Sequence, residues 1–214
     1  MEPIIIDHPL VKHKLGVLRN EDTKSKEFRE IVEELTIILM YEATKGIPTI
    51  KYNVKTPLIN TEVEKIKASN LVIIPIIRAG LGMLNGALKL IPKARVGHLG
   101  IYRDEKTLQP VSYYMKSPKL RKEDIIFIID PMFATGGSMI MAIDYLKKNG
   151  ARKIKLLSIV SAPEGIEKLN EHHPDVEIIT CAIDSHLNKY GYIVPGLGDA
   201  GDRLYNIQPD KEVK

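Results

Sequence analysis

Tryptophan is absent from this chain of 214 residues, phenylalanine occurs three times and cysteine once. A single cysteine excludes an intramolecular disulfide, and with it the stapled secreted scaffolds, so a reducing compartment is expected. Cys181 follows the strand-like run Val176-Glu177-Ile178-Ile179-Thr180 and reads as a small core hydrophobe. No apolar stretch approaches the ~18 residues of a membrane-crossing helix. The first residues, Met1 to Asp7, lack the basic and long apolar segments of a secretion signal. An excess of one charge is missing as well. Thirty-one Lys and Arg against 27 Asp and Glu leave a formal +4, without a dense basic run, which speaks against a nucleic-acid partner. The expectation is a cytoplasmic globule with neither membrane nor nucleic acid as partner.

What is present is a chain 44% hydrophobic, of a length suited to one domain, with no internal repeat or linker. Residues 23–45 read as an amphipathic helix, with Phe28, Ile31, Val32, Leu35, Ile38 and Leu39 at three- and four-residue spacing and Gly46-Ile47-Pro48 as its stop. Ile50, Tyr52 and Val54 then alternate as in a half-exposed strand. Continuous apolar runs follow at Leu71–Ile77 and Ile125–Ile129, with further strands expected over 95–101, 154–160 and 176–182. Helical patterns separate them at 81–88, 139–149 and 163–170, with Gly150 closing the second. Apolar strands divided by helices predict an α/β fold, its mostly parallel sheet covered by helices on both faces.

In such sheets ligands bind beyond the carboxyl ends of the strands. Arg78, Arg103, Asp130 and Asp184 stand there, so two cations and two carboxylates are expected to converge on one edge. Three glycine-bearing segments compete as phosphate holders. Gly196 to Gly201 spells G-x-G-x-x-G, but neither the preceding strand nor the following βαβ unit of a dinucleotide site is in place. Arg78 to Gly86 follows a strand and opens a helix, yet its third glycine falls one residue late. Ile128 to Ser138 has the strongest context, since a buried strand ends in Asp130 and a small-residue turn, Ala134 to Ser138, runs into a helix. Such a turn aims backbone N–H groups and a helix N-terminus at one point, with the Thr135 and Ser138 hydroxyls as further donors. No lysine follows the glycines, which excludes a Walker A loop. An ionised Asp130 accepts from two vicinal hydroxyls, so the pair of features suits a ribose 5-phosphate.

On these residues the chain resembles the type I phosphoribosyltransferase family. The stretch Gly191 to Arg203, GYIVPGLGDAGDR, further resembles the base-binding segment of its uracil branch. Supporting matches are His8 to Leu15, Pro75 to Gly82 and Gly100 to Asp104, so the likeness spans nearly the whole chain as one domain, 1–214. Phe133 stands where the family usually has leucine, and the charged tail from Tyr205 to Lys214 runs past the usual end and reads as solvated.

The resemblance implies a flexible hood over the site, its hairpin at roughly 102–115. It implies transfer of the phosphoribosyl group of 5-phospho-α-D-ribose 1-diphosphate (PRPP) to N1 of uracil, giving UMP and diphosphate, a step of pyrimidine salvage. Carried over residue by residue, Arg78 and Arg103 hold diphosphate and Asp130 the ribose hydroxyls. Pro131, Met132, Phe133, Ala134, Thr135, Gly136, Gly137 and Ser138 form the PRPP loop, with Asp199 beside that substrate. Ile193, Gly198, Asp199 and Ala200 meet uracil. Arg78 and Asp130 are the catalytic pair. Mg2+ is expected to ride on substrate oxygens and water, without a protein-built metal site. The six histidines lack metal spacing; His172 and His173 read as a surface turn and His98 as a core residue. Family members form dimers or larger assemblies, some activated by GTP, and the resemblance does not choose among these. Two other readings stay open, an RNA-binding regulator on the same fold and an NAD-dependent oxidoreductase using Gly80 to Gly86.

Overall fold

The computed structural model describes residues 1–104 and 110–207, with Arg103 described by its backbone alone. In chain order the elements are β1 (Ile4–Ile5), α1 (Pro9–Arg19), α2 (Ser25–Ala43), β2 (Thr49–Lys55), β3 (Asn60–Ile66), β4 (Leu71–Ile77) and α3 (Leu81–Leu90). Then come β5 (Arg95–Val96), β6 (His98–Arg103), β7 (Pro110–Lys116), β8 (Ile125–Ile129), β9 (Met132–Phe133) and α4 (Gly137–Lys148). The chain continues with β10 (Lys153–Ser161), α5 (Pro163–His172), β11 (Glu177–Ile183), β12 (His186–Leu187), β13 (Ile193–Val194) and α6 (Ala200–Tyr205). The main sheet runs β1-β11-β10-β8-β4-β6-β7, with β5 beside β4 and β9 beside β10. Every pairing in it is parallel except β6 with β7.

The continuous apolar runs are continuous because both faces of the sheet are covered. Leu71, Ile73, Phe127, Leu157 and Ile179 pack with α1, α2 and α3 on one face. Their immediate neighbours Val72, Ile74, Ile126, Ile128, Leu156 and Ile178 pack with α4 and α5 on the other. This is the period of two of a strand, filled by hydrophobes at every position. Phe133 joins the second core at 1% exposure, so the ring that replaces the family's leucine is accommodated inside. Cys181 is buried too, and burial pushes its thiol up to about 12, which leaves it unreactive at neutral pH. Among the described residues no helix is long and apolar enough to cross a membrane.

Several expectations need correction. The strand expected over 95–101 is two strands, broken at Gly97. The alternation at Ile50, Tyr52 and Val54 does mark a strand, β2, but one largely exposed rather than half-exposed, paired antiparallel with β3 in a separate two-stranded sheet. The helix α1 was not foreseen, although Pro9 opens it and Val11, Leu15 and Leu18 form its buried stripe. His173 is buried rather than at the surface: its Nε2 lies 3.1 Å from Asp144 and its Nδ1 3.2 Å from Lys147. His98 is half-buried at the start of β6. Tyr205 is the last residue of α6 rather than tail, and 208–214 lie outside the described residues. The third glycine of the 80–86 segment has a packing reason. A Cβ on Gly86 would lie 2.4 Å from the Glu33 carbonyl oxygen, so α3 lies directly against α2.

At the amino edge of the sheet, Arg95 donates to the carbonyls of Ser69 and Lys119 and pairs with the fully buried Asp124. Removing the guanidinium strands a carboxylate in the interior. Arg95→Met is therefore expected to cost ~3–5 kcal/mol in urea unfolding, and adding Asp124→Asn should return part of that loss.

Candidate active site

At the opposite, carboxyl edge the strands end in a cleft of about 560 Å3. Its walls come from the end of β4 and the turn after it (Ile76 to Ala79), from β6 and β7 (Ile101, Tyr102, Tyr113), from 130–139, and from 191–201. These segments are far apart in the chain; those from 76–79, 101–102 and 130–139 meet because β4, β6 and β8 run beside one another in the sheet, and 191–201 joins them from around β13. The volume lies within the ~300–1,000 Å3 usual for small-molecule sites.

Asp130 stands where β8 leaves the apolar interior. Its Oδ1 accepts from the Met132 N–H at 3.2 Å. Burial pushes its carboxyl up to about 7, the Met132 hydrogen bond opposes that, and the charge of Asp199 adds to it. Asp130 is thus poised between its two protonation states near neutrality. Asp199 also lines the cleft while its Oδ1 caps α6, accepting from the Asp202 N–H at 2.9 Å. Arg78 projects from the end of β4 with 55% of its side chain exposed, and Nη2 meets Asp202 at 3.2 Å. Its carbonyl accepts from the Tyr205 hydroxyl at 3.1 Å.

The turn after Asp130 lies in the cleft wall at the N-terminus of a helix. Ala134, Thr135, Gly136 and Ser138 line the cleft, and Gly136, at φ +78°, turns the chain into α4, whose N-terminus opens there. Met132 and Phe133 line it as well. Pro131 and Gly137 stand behind the wall: the Pro131 carbonyl accepts from Ile159 and Val160, and Gly137 faces Pro110. The turn is shaped from below by α5. A Cβ on Gly165 would lie 2.1 Å from the Ala134 carbonyl oxygen and 3.4 Å from the Gly136 nitrogen.

Ile193, Gly198 and Ala200 line the cleft together with Gly191 and Tyr192. The pairing of β13 with β12 sets Ile193 opposite Leu187, and the Leu187 N–H donates to Glu164 of α5 at 2.8 Å. Thus one helix end, at Glu164 and Gly165, supports both the turn and the strand pair.

The structure therefore brings together Arg78, Asp130, Met132, Phe133, Ala134 to Gly136, Ser138, Ile193 and Gly198 to Ala200. The Arg103 side chain and hood residues 105–109 lie outside the described residues. Asp184 departs from expectation. It is absent from the cleft wall and instead pairs with Arg19 of α1. Sequence reasoning missed Tyr113, which lies within the expected 102–115 hairpin but was given no place in the site, and Gly165, whose one signal was a glycine in the first turn of a helix.

A family model described as uracil phosphoribosyltransferase matches residues 5–207. A uracil phosphoribosyltransferase of Thermosipho melanesiensis is 54% identical over 204 residues, 95% of this chain and 98% of that protein. One of Streptococcus pneumoniae is 53% identical with the same coverage. A solved Aquifex aeolicus protein superposes with a TM-score of 0.94 at 41% identity, over 98% of this chain and all of its own. The fold alone is shared with the adenine phosphoribosyl transferase of Trypanosoma brucei, at a TM-score of 0.59 and 12% identity over 99% of this chain and 92% of that one. The family model over residues 5–207 and relatives more than 50% identical over 95% of the chain lead to one conclusion: this chain belongs to the uracil phosphoribosyltransferase family.

Proposed function

We infer that the chain transfers the phosphoribosyl group of PRPP to N1 of uracil, forming UMP and diphosphate. The observation that carries this reading is one cleft in which a strand-end carboxylate, a glycine turn at a helix N-terminus and the 191–201 loop face the same space. The transition state for transfer is oxocarbenium-like, with positive charge on the ribose and negative charge growing on diphosphate, so catalysis is positional and electrostatic. Asp130 in its ionised form accepts from the two ribose hydroxyls and fixes the ring. The backbone N–H groups and hydroxyls of 134–138 hold the 5-phosphate. Arg78, exposed at the cleft mouth, takes the leaving diphosphate through paired N–H donors, and Arg103 is proposed to reach it from the hood. Closure of the hood would keep water from the cationic ribose.

Asp130 and Asp199 both line the cleft, and a Mg2+ carried on the oxygens of PRPP would supply positive charge to the leaving diphosphate beside them. The uracil edge, with two carbonyl acceptors and an N3–H donor, is read by backbone groups of Ile193, Gly198 and Ala200, and cytosine would set donor against donor. Self-association is proposed from the β2–β3 hairpin, whose tip exposes Leu58 at 91% and Ile59 at 67%; light scattering reads it. The direct test of function is UMP formation from PRPP, Mg2+ and a panel of bases; uracil should be used strongly over cytosine, and a mixture that yields no UMP would overturn the reading.

Two outcomes follow for single residues. Because Asp130 must lose its proton to accept both hydroxyls, kcat/KM for PRPP should rise with pH through about 7. Asp130→Asn should abolish that limb and lower kcat/KM by ~10²-fold or more, roughly 2.7 kcal/mol. The same residue has the opposite sign in stability. A folded-state pKa raised above 3.8 gives stability that is fully present below about 4 and lost as pH rises through about 7. Thermal melts at pH 8 should therefore find Asp130→Asn at least as stable as the wild type, with the wild type gaining on it as pH falls towards 4.

Gly165→Ala should push the Ala134 carbonyl aside. Alanine in a helix ordinarily gains ~1 kcal/mol over glycine, so any loss observed there comes from the displaced turn. Calorimetry should show weakened binding of PRPP and of ribose 5-phosphate alike, by ~10-fold or more.

A further inference from the structure

Asp184 follows β11, at the same sheet edge as Arg78 and Asp130, yet its side chain turns away from the cleft and is only 5% exposed. Its two oxygens accept from Arg19, Oδ1 from Nη2 at 2.6 Å and Oδ2 from Nη1 at 2.7 Å. A pair so placed often serves only the fold. This one carries a third member. Arg19 Nη1 also donates to the Gly196 carbonyl at 2.7 Å, and Asp184 Oδ2 also accepts from the Gly196 N–H at 2.8 Å. Both backbone polar groups of one residue are thus tied into one ring of charge-assisted hydrogen bonds.

Gly196 stands between Ile193 and Gly198, the cleft residues assigned to the base. Its φ of +60° and a hypothetical Cβ 2.1 Å from the Ile193 carbonyl oxygen leave glycine as the residue that fits. A second arginine grips the next residue. Arg203 donates to the Leu197 carbonyl at 2.8 Å and to the carbonyls of Leu18 and Asn20, and its guanidinium lies over the Phe28 ring. The loop is therefore held from behind, by the end of α1, while its front faces the cleft.

We propose that Arg19 and Asp184 are positioning residues for base recognition, which fix the direction of the Ile193 and Gly198 backbone groups by holding Gly196. Neither touches the substrate, since neither lines the cleft. The inference rests on the proposed uracil reading and adds to it the residues that set uracil affinity. Their action is confined to the base: the turn at 134–138 is supported by α5, on other contacts.

The test is steady-state kinetics and calorimetry on the full chain with Arg19→Met combined with Asp184→Leu, so that no charge is left buried alone, beside Asp184→Asn, which keeps an acceptor for the Gly196 N–H. The double variant should raise KM for uracil ~10-fold or more and narrow the uracil-over-cytosine ratio, with the Kd for PRPP within ~2-fold of wild type. Asp184→Asn should fall between wild type and double variant. An unchanged uracil KM in a folded double variant would overturn the proposal. So would parallel losses for uracil and PRPP that track a fall in Tm, the signature of a fold-holding pair. A wild-type control that forms no UMP would instead overturn the proposed function, and this inference with it.

Discussion

The strands β4 and β8, apolar along their length and covered on both faces, leave charged groups nowhere to go but their ends, and that constraint organises the molecule. Every residue of β8 from Ile126 to Ile129 is fully buried, and its backbone groups are committed to β4 and β10. The first side chain past that run is Asp130, which meets the cleft with its carboxyl already displaced from its usual range by burial. The same constraint places Arg78 after β4. Reactive groups of opposite sign are thereby set at neighbouring strand ends without any local motif joining them, and the helices that cover the sheet contribute N-termini to the same edge.

Much of this was legible beforehand. The bounds of β4 and β8 follow from uninterrupted runs of hydrophobes, and the turn at 134–138 from its small residues between strand and helix. The long helix α2 follows from its stripe. The base segment was recognisable only by likeness, since a string of glycine, proline and small apolar residues names no ligand through its side chains. Backbone groups carry the proposed recognition there, and any residue supplies a backbone.

What stayed hidden depended on direction and on distant partners. A strand end specifies an edge, not the way a side chain turns. Asp184 was expected in the cleft because it occupies such an end, and Arg19, 165 residues away in sequence, draws it elsewhere. The strand β3, partner of β2, eluded the pattern because it is largely exposed and its only apolar residues are Val63 and Ile66. His173, beside an exposed His172, is buried by its contacts with Asp144 and Lys147 of α4, which no spacing announces. Gly165 offered one letter in a short helix, and its meaning lies in an approach to Ala134 that only three dimensions reveal.

The loop from Pro195 to Asp199 carries no ladder of its own beyond β13; it is held by Leu197 in the core, by Asp199 at the start of α6, and by the side chains of Arg19, Asp184 and Arg203. A segment fastened by side chains rather than by a ladder can be exchanged as a cassette. On the proposed reading, its inward face can be rewritten for another heterocycle while the ribose-phosphate half stays as it is. The condition is that the new segment still presents one amide and one carbonyl where Gly196 does. The end of α1 then acts as a fixed socket, and its arginine constrains which replacement loops this scaffold can accept.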